Sequence, residues 1–269
     1  MAREGAGPEF IEALARGLEV IAAFEPARPE MSLTDVASAT GLSRPTVRRI
    51  LLTLQELDYV RSTDGRFVLT PRVLELGMAY VSSMGLWEVA RPHMQDLVAK
   101  VDESVSIAQL DGPDIVYVAR VAVPKIVALR VELGTRFPAL ATSLGKVLLA
   151  ALPSDELDRT LAESTRSGLV PRWQPDVEER DAVLREVRAR GWAVTDQDLA
   201  LGIRSIAVPL RDGAGRVIAA LNVNSHAAET SMETITEKYL PLLLQAAGAI
   251  SADFARVSAL PRVEGSEVG

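Results

Sequence analysis

Residues 32–69 read SLTDVASATGLSRPTVRRILLTLQELDYVRSTDGRFVL, and this stretch decides the fold of the N-terminal part of the chain. Ser32 and Asp35 form an S-x-x-D capping box, which opens a short helix ending near Gly41. Ser43 caps a second helix with Pro45 in its first turn, where a missing N–H costs nothing, and the pattern carries this helix to about Leu57. Val36, Ala37, Gly41, Leu42, Val47 and Ile50 fall where two crossing helices need small, turning and apolar residues. Glycine at the turn permits a positive φ, and alanine in the first helix allows close approach of the second. Tyr59–Arg61 and Arg66–Leu69, joined through Asp64-Gly65, read as a two-stranded hairpin, or wing.

On a helical wheel Val47, Ile50, Leu51 and Leu54 share the core side of the second helix. Arg44, Pro45, Thr46, Arg48, Arg49 and Thr53 are left facing outward. Residues 44–49 hold three arginines and no acid. Arginine reads guanine bidentately or holds phosphate, and threonine offers a hydroxyl to phosphate or a methyl to thymine. Arg61 and Arg66 on the hairpin suit phosphate or minor-groove contacts. An arginine-bearing helix face taken alone is most often just solvated, and a trihelical module also serves protein contacts. The helix-turn-helix spacing favours double-stranded DNA as the partner. The formal net charge is −7, so such binding depends on local geometry and not on bulk attraction.

Upstream, residues 10–24 place Ile11, Leu14, Leu18, Ile21 and Ala22 at the spacing of a helix with one buried face. Glu25–Met31 reads as a loop. Downstream, Thr70 caps a helix from Pro71 that offers Val73, Leu74, Leu76, Met78 and Val81 for burial, until Gly85 interrupts it. Residues 1–70 are thus expected to form one domain, 71–85 a helical linker, and 86–260 a second domain, with disordered ends at 1–8 and 261–269. The second domain opens with a helix, 86–101, followed by the β-rich runs SVSIAQL, DIVYVARV and KIVALRV. Thr142 opens an apolar helix reaching Leu152, Ser154 caps another, and Val177–Arg190 is a charged helix ending at Gly191. A hairpin of Ser205–Leu210 and Arg216–Val223 precedes a closing helix over about 232–257. This order predicts an α+β architecture.

Composition narrows the function. With 269 residues, 48% hydrophobic and 24% charged, the chain is an ordinary globular protein of one to two domains. It has no cysteine, which excludes disulfides, thiolate zinc sites, iron–sulfur clusters and a cysteine nucleophile. Its two histidines, His93 and His226, are far apart in sequence, so no metal and no cofactor are expected. The first ten residues carry no apolar signal core, and no run approaches the roughly 18 apolar residues of a membrane span. A soluble cytoplasmic protein without a membrane partner is expected.

Ser143-Leu144-Gly145-Lys146 satisfies S-x-x-K, in which a lysine one helical turn away could deprotonate a serine nucleophile. A serine-dependent hydrolase or acyl-binding enzyme is therefore the alternative to a sensor. The companion S-D-N and K-T-G elements are absent. The start of the helix at Thr142-Ser143 also presents unpaired N–H groups and a partial positive charge suited to a carboxylate, unless Thr142 simply caps a buried helix. Asn222 and Asn224, two apart on a strand, face one side, be it a cavity or solvent. Arg120, Arg130 and Arg204 are further carboxylate partners, with surface ion pairing as the default for each. A third reading makes the second domain a protein–protein module without a small ligand.

The chain resembles the IclR family of bacterial transcriptional regulators over nearly its whole length, from Phe10 to Val257. The resemblance is carried by LARGLEVIAAF at 14–24, LTDVASATGLSRPTVRRILLTLQELDYV at 33–60 and LTPRVLELG at 69–77. It continues in GTRFPALATSLGKVLLAAL at 134–152 and DQDLALGIRSIAVPLRDGAGRVIAALNV at 196–223. DGPDIVYVARV and LGIRSIAVP are similar in particular to members that regulate protocatechuate and 4-hydroxybenzoate catabolism. The resemblance implies an N-terminal winged helix-turn-helix, a helical linker, a GAF-like effector-binding domain and a homodimer or dimer of dimers. It also implies an operator-binding regulator responsive to a small organic acid, either an aromatic acid or a dicarboxylate. The effector site it implies has Ile126 and Leu129 as apolar wall, Thr142, Ser143 and Leu144 at a helix start, and Asp198, Ser205, Asn222 and Asn224 across from them.

Overall fold

The computed structural model of the chain describes residues 7–25, 27–77, 85–124 and 131–259. The chain divides into two units, one ending at residue 83 and the other beginning at residue 84. The first unit contains α1 (Glu12–Ala22), β1 (Glu30–Ser32), α2 (Leu33–Thr40), α3 (Arg44–Glu56), β2 (Val60–Thr63) and β3 (Arg66–Leu69). Both halves of the Ser32/Asp35 capping box form, and Gly41 ends α2 at φ 68°, a left-handed conformation that glycine adopts without strain. Ser43 caps α3 by accepting from the Thr46 N–H, with Pro45 in the first turn. Val47, Leu51 and Leu54 of α3 are buried with Val36 of α2 and Val20 of α1, and Ile50 packs beside them.

The wing has three strands where the sequence pattern gave two. β1 pairs antiparallel with β3, placing Met31 opposite Phe67, and the sheet order is β1-β3-β2. The segment read as a loop up to Met31 thus ends in a strand that carries a fully buried methionine. The face assigned to α1 is also corrected. Val20 is its buried residue, whereas Ile11, Leu14 and Leu18 are exposed, because α2 and α3 meet the side of α1 that carries Val20 and Ile21. Residues 73–77 are helical, with Leu74 and Leu76 exposed. Met78 and Val81 lie outside the described residues.

The second unit is built on a six-stranded sheet in the order β6-β5-β4-β9-β8-β7, antiparallel at every pairing. Its strands are β4 (Ser104–Asp111), β5 (Asp114–Val121), β6 (Arg136–Pro138), β7 (Ala193–Asp196), β8 (Ile203–Arg211) and β9 (Val217–His226). The period-2 alternation sends their side chains to two covered faces. One face, with Val105, Ile107, Ile206, Val208, Leu221 and Val223, packs on α4 (Leu86–Val101) and α8 (Leu240–Ser258). The other presents the small residues Ala108, Ala207 and Ala220 to α5 (Ser143–Ala150) and α7 (Val177–Arg190). α6 (Ser154–Ala162) adds Leu157 to that second layer. Each fully buried Leu, Ile or Val contributes about 1.5–3 kcal/mol, so both layers are substantial cores. This is the expected α+β class.

Local departures from the pattern have identifiable causes. β6 and β7, three and four residues long, are too short for an alternation to be read. Of the KIVALRV run only Val131 is described. Ser154 is the first residue of its helix and makes no capping bond, the boundary position being Pro153. The closing helix is entered through a π-helical turn, Thr234–Tyr239, which sends Ile235 and Tyr239 into the core.

Candidate nucleic-acid interface and effector site

On α3 the side chains of Arg44, Pro45, Arg48, Arg49 and Thr53 are exposed, and Arg61 and Arg66 are exposed on the wing. Thr46 is half-buried, its hydroxyl bonded to Ser43 Oγ at 2.9 Å. Thr53 donates its hydroxyl to the Arg49 carbonyl at 2.9 Å, which leaves both hydroxyl lone pairs able to accept. Among the described residues, no carboxylate lies within ion-pair distance of Arg44, Arg48, Arg49, Arg61 or Arg66. Arg16, Arg28 and Arg72 of the same unit are paired with Glu12, Glu25 and Asp58. Five uncompensated guanidiniums on one helix face and the adjoining hairpin can meet a polyanion without first breaking internal bonds.

In the second unit the pairing register aligns polar side chains on the face covered by α5. One row runs Arg120, Ser106, Asn222, Ala207 across β5, β4, β9 and β8, and the next runs Ser104, Asn224, Ser205, Thr195 across β4, β9, β8 and β7. Ser143, the first residue of α5 and fully buried, bonds Ser205 through its hydroxyl at 2.7 Å, and Ser205 bonds Thr195 Oγ1 at 2.9 Å. Thr142 caps the helix, accepting from the Gly145 N–H at 3.0 Å and donating to the Ala139 carbonyl at 3.1 Å. Leu144 points into the apolar core. Gly145 is required by space, since a Cβ there would sit 2.0 Å from the Ala139 carbonyl oxygen.

The structure therefore brings Ser143, Ser205, Asn222 and Asn224 together on one floor. Ile126 and Leu129 lie outside the described residues. Asn222 is 1% exposed, and its Oδ1 has no hydrogen-bond partner. Tyr117, Ser106 and Thr195 join the floor although sequence reasoning did not include them. Their signal was available as polar residues at inward positions of strands covered on both faces. Burial pushes the Tyr117 phenol up to about 12, opposed in part by the nearby Arg120 charge and a hydrogen bond with Asn224. The phenol is thus a neutral group at physiological pH. Arg120 donates to Ser106 Oγ at 3.1 Å, and burial holds its guanidinium below the ordinary arginine value.

The S-x-x-K pair is not arranged for nucleophilic catalysis. Lys146 Nζ lies 2.5 Å from Asp198 Oδ2 and 4.1 Å from the Trp173 ring centroid, while Ser143 is bonded to Ser205. Burial lowers the Lys146 pKa, and the Asp198 hydrogen bond and charge oppose that shift. Asp198 sits beside the floor with one oxygen engaged by Lys146 and the other accepting from the Asp196 N–H at 3.3 Å. Arg204 is a half-buried ion-pairing residue, bonded to Asp196 and to the Ala227 and Thr230 carbonyls. Arg130 lies outside the described residues. His93 bonds Asp253 at 2.8 Å, and no cluster of potential metal ligands occurs among the described residues. No helix among them is long and apolar enough to cross a membrane.

Comparison with known proteins identifies both units. Residues 13–64 match the IclR helix-turn-helix domain, and residues 78–252 match the bacterial transcriptional regulator IclR C-terminal domain. The Pca regulon regulatory protein of Pseudomonas putida is 39% identical over 240 residues, covering 89% of this chain and 82% of that protein. The p-hydroxybenzoate hydroxylase transcriptional activator of Acinetobacter baylyi is 35% identical, covering 90% and 91%. Among solved structures, a Rhodococcus sp. RHA1 protein described as a transcriptional regulator is 48% identical at a TM-score of 0.80, covering 92% of this chain and all of that one. An IclR homolog from Microbacterium hydrocarbonoxydans, solved with 4-hydroxybenzoate, is 24% identical at a TM-score of 0.78, covering 91% and 100%, and shares the fold. With a helix-turn-helix unit bearing uncompensated arginines and a second unit bearing a buried polar floor, the chain belongs to the IclR family of bacterial transcriptional regulators.

Proposed function

We propose that this regulator controls aromatic-acid catabolic genes of the β-ketoadipate type in response to a small carboxylate. It binds double-stranded operator DNA as a homodimer or dimer of dimers, and the operator is a palindrome or contains repeated half-sites spaced by about one DNA turn. α3 enters the major groove with Arg44, Pro45, Thr46, Arg48, Arg49 and Thr53, while Arg61 and Arg66 of the wing hold the backbone or the minor groove. The segment 71–85 links this unit to the sensor. The effector rests on the floor formed by Ser143, Ser205, Asn222 and Asn224, with Asp198 at its margin. Ile126 and Leu129 complete the wall.

The observation that carries the effector reading is the Asn222 Oδ1, buried with no partner. A buried acceptor left without a donor costs about 1–3 kcal/mol, which a ligand hydroxyl or a bound water recovers. The relatives support the chemical class, since the names of two refer to the Pca regulon and to p-hydroxybenzoate. Selection of bound fragments from the source genome, followed by footprinting with and without 4-hydroxybenzoate or protocatechuate, tests the proposal. The expected result is a two-fold symmetric site beside aromatic-catabolic genes, with occupancy or footprint altered by the acid. Sites beside unrelated genes, with no acid effect, would overturn it.

A further inference from the structure

The orientation of the effector is written in the pairing of the arginines, and the inference drawn from it rests on the effector reading above. Arg120, Ser106 and Asn222 occupy one row on three neighbouring strands, so their side chains leave the same face of the sheet. Ala207, next in the row, is small and fully buried. The Arg120 guanidinium lies over Ser106, to which it donates. It is half-buried, and among the described residues no carboxylate is within ion-pair distance of it. A partly buried cation without a counter-charge is costly, and proteins ordinarily pair one, as this chain pairs Arg204 with Asp196. A guanidinium also offers a planar fork of donors that matches a carboxylate, and only one of its bonds is used here.

The start of α5 is in a different condition. The hydroxyls of Ser143, Ser205 and Thr195 bond one another, and the Thr142 hydroxyl is taken by the Ala139 carbonyl and the Gly145 N–H. These groups are satisfied without a ligand, whereas Arg120 and Asn222 are not. We propose that Arg120 receives the effector carboxylate and that Asn222 Oδ1 accepts a hydrogen bond from a hydroxyl of the same molecule, which makes the effector class a hydroxylated monocarboxylate. Arg120 sets the preference for an anion, and Asn222 sets the preference for a donor beside it.

The test is calorimetric titration of the full chain with 4-hydroxybenzoate, 4-hydroxybenzamide and benzoate. Wild type should bind the acid more tightly than its amide and more tightly than benzoate. Arg120→Gln keeps a donor for Ser106 but removes the charge. It should weaken the acid by about tenfold or more while changing the amide by less than about twofold. Arg120→Lys should recover part of the acid binding, which separates charge from misfolding. Asn222→Leu should abolish the advantage of 4-hydroxybenzoate over benzoate. Unchanged acid affinity in Arg120→Gln, or a large loss on Ser143→Ala in its place, would overturn the assignment and leave the effector reading standing. If wild type binds neither 4-hydroxybenzoate nor benzoate, the effector reading and this assignment fall together.

Discussion

Replacing Gly145 by alanine should destabilise the second unit, although the same change in an open helix stabilises. Alanine is favoured over glycine inside a helix by about 1 kcal/mol. At position 145 the new Cβ would lie 2.0 Å from the Ala139 carbonyl oxygen and 2.4 Å from its carbon. The obstruction is backbone and cannot rotate away. It is also anchored, because the Ala139 N–H donates to the Pro113 carbonyl at 2.8 Å and its own carbonyl accepts from Thr142. Overpacking of this kind costs about 3 kcal/mol or more, and subtracting the helix preference leaves at least about 2 kcal/mol. For a domain of 150–250 residues that is a fall in Tm of about 4–8 °C. Gly248 in α8 has nothing within 4 Å of its Cβ position, so Gly248→Ala should act in the opposite direction by up to about 1 kcal/mol. Urea unfolding of the three proteins gives both signs. A Gly145→Ala protein as stable as wild type would refute the close approach of α5 to the Ala139 turn.

Arg48→Ala and Arg49→Ala should leave urea midpoints nearly unchanged, since both side chains are exposed and without ion-pair partners. Each should cost about 1–3 kcal/mol in operator binding where the residue reads a base, and wild-type binding by both variants in a gel-shift titration would remove α3 from the groove. Tyr117 supplies a pH dependence. Its folded value of about 12 lies above the ordinary 10, so the unfolded chain loses this proton first. The stability it contributes is therefore complete below about pH 10 and is lost as pH rises from 10 through 12, a change of about 3 kcal/mol for two units. Tyr117→Phe should flatten that part of the stability profile, and identical profiles would refute the burial of the phenol.

The helix-turn-helix was legible because its determinants are local: a capping box, a glycine in a left-handed turn and apolar spacing on α3 all lie within some twenty-five residues. The exposure of Ile11, Leu14 and Leu18 was not legible, because periodicity says which residues share a face and not whether another element covers it. Val20 is buried through long-range packing with α2 and α3. β1 escaped because three residues carry no readable alternation, and Met31 acquires its partner from β3, more than thirty residues away. In the candidate effector site the shared face of Asn222 and Asn224 was legible from their parity on one strand. The difference between Arg120 and Arg204 could not be read there. It depends on whether a carboxylate from another strand stands beside each guanidinium, and Asp196 does so for Arg204 alone.

The uneven pairing of arginines has a consequence for encounter as well as for contact. Arg136, Arg180, Arg190, Arg204, Arg216 and Arg256 in the second unit are each held by a nearby acid, while those of α3 and the wing are bare. The chain as a whole carries a formal charge of −7. Within the first unit the bare guanidiniums gather on α3 and the wing, so the attraction that unit offers a polyanion is concentrated there. Added salt screens that attraction and removes the counterion-release gain at the bare guanidiniums. Where charge is placed on the first unit, and not the net charge of the chain, is what an approaching polyanion would read.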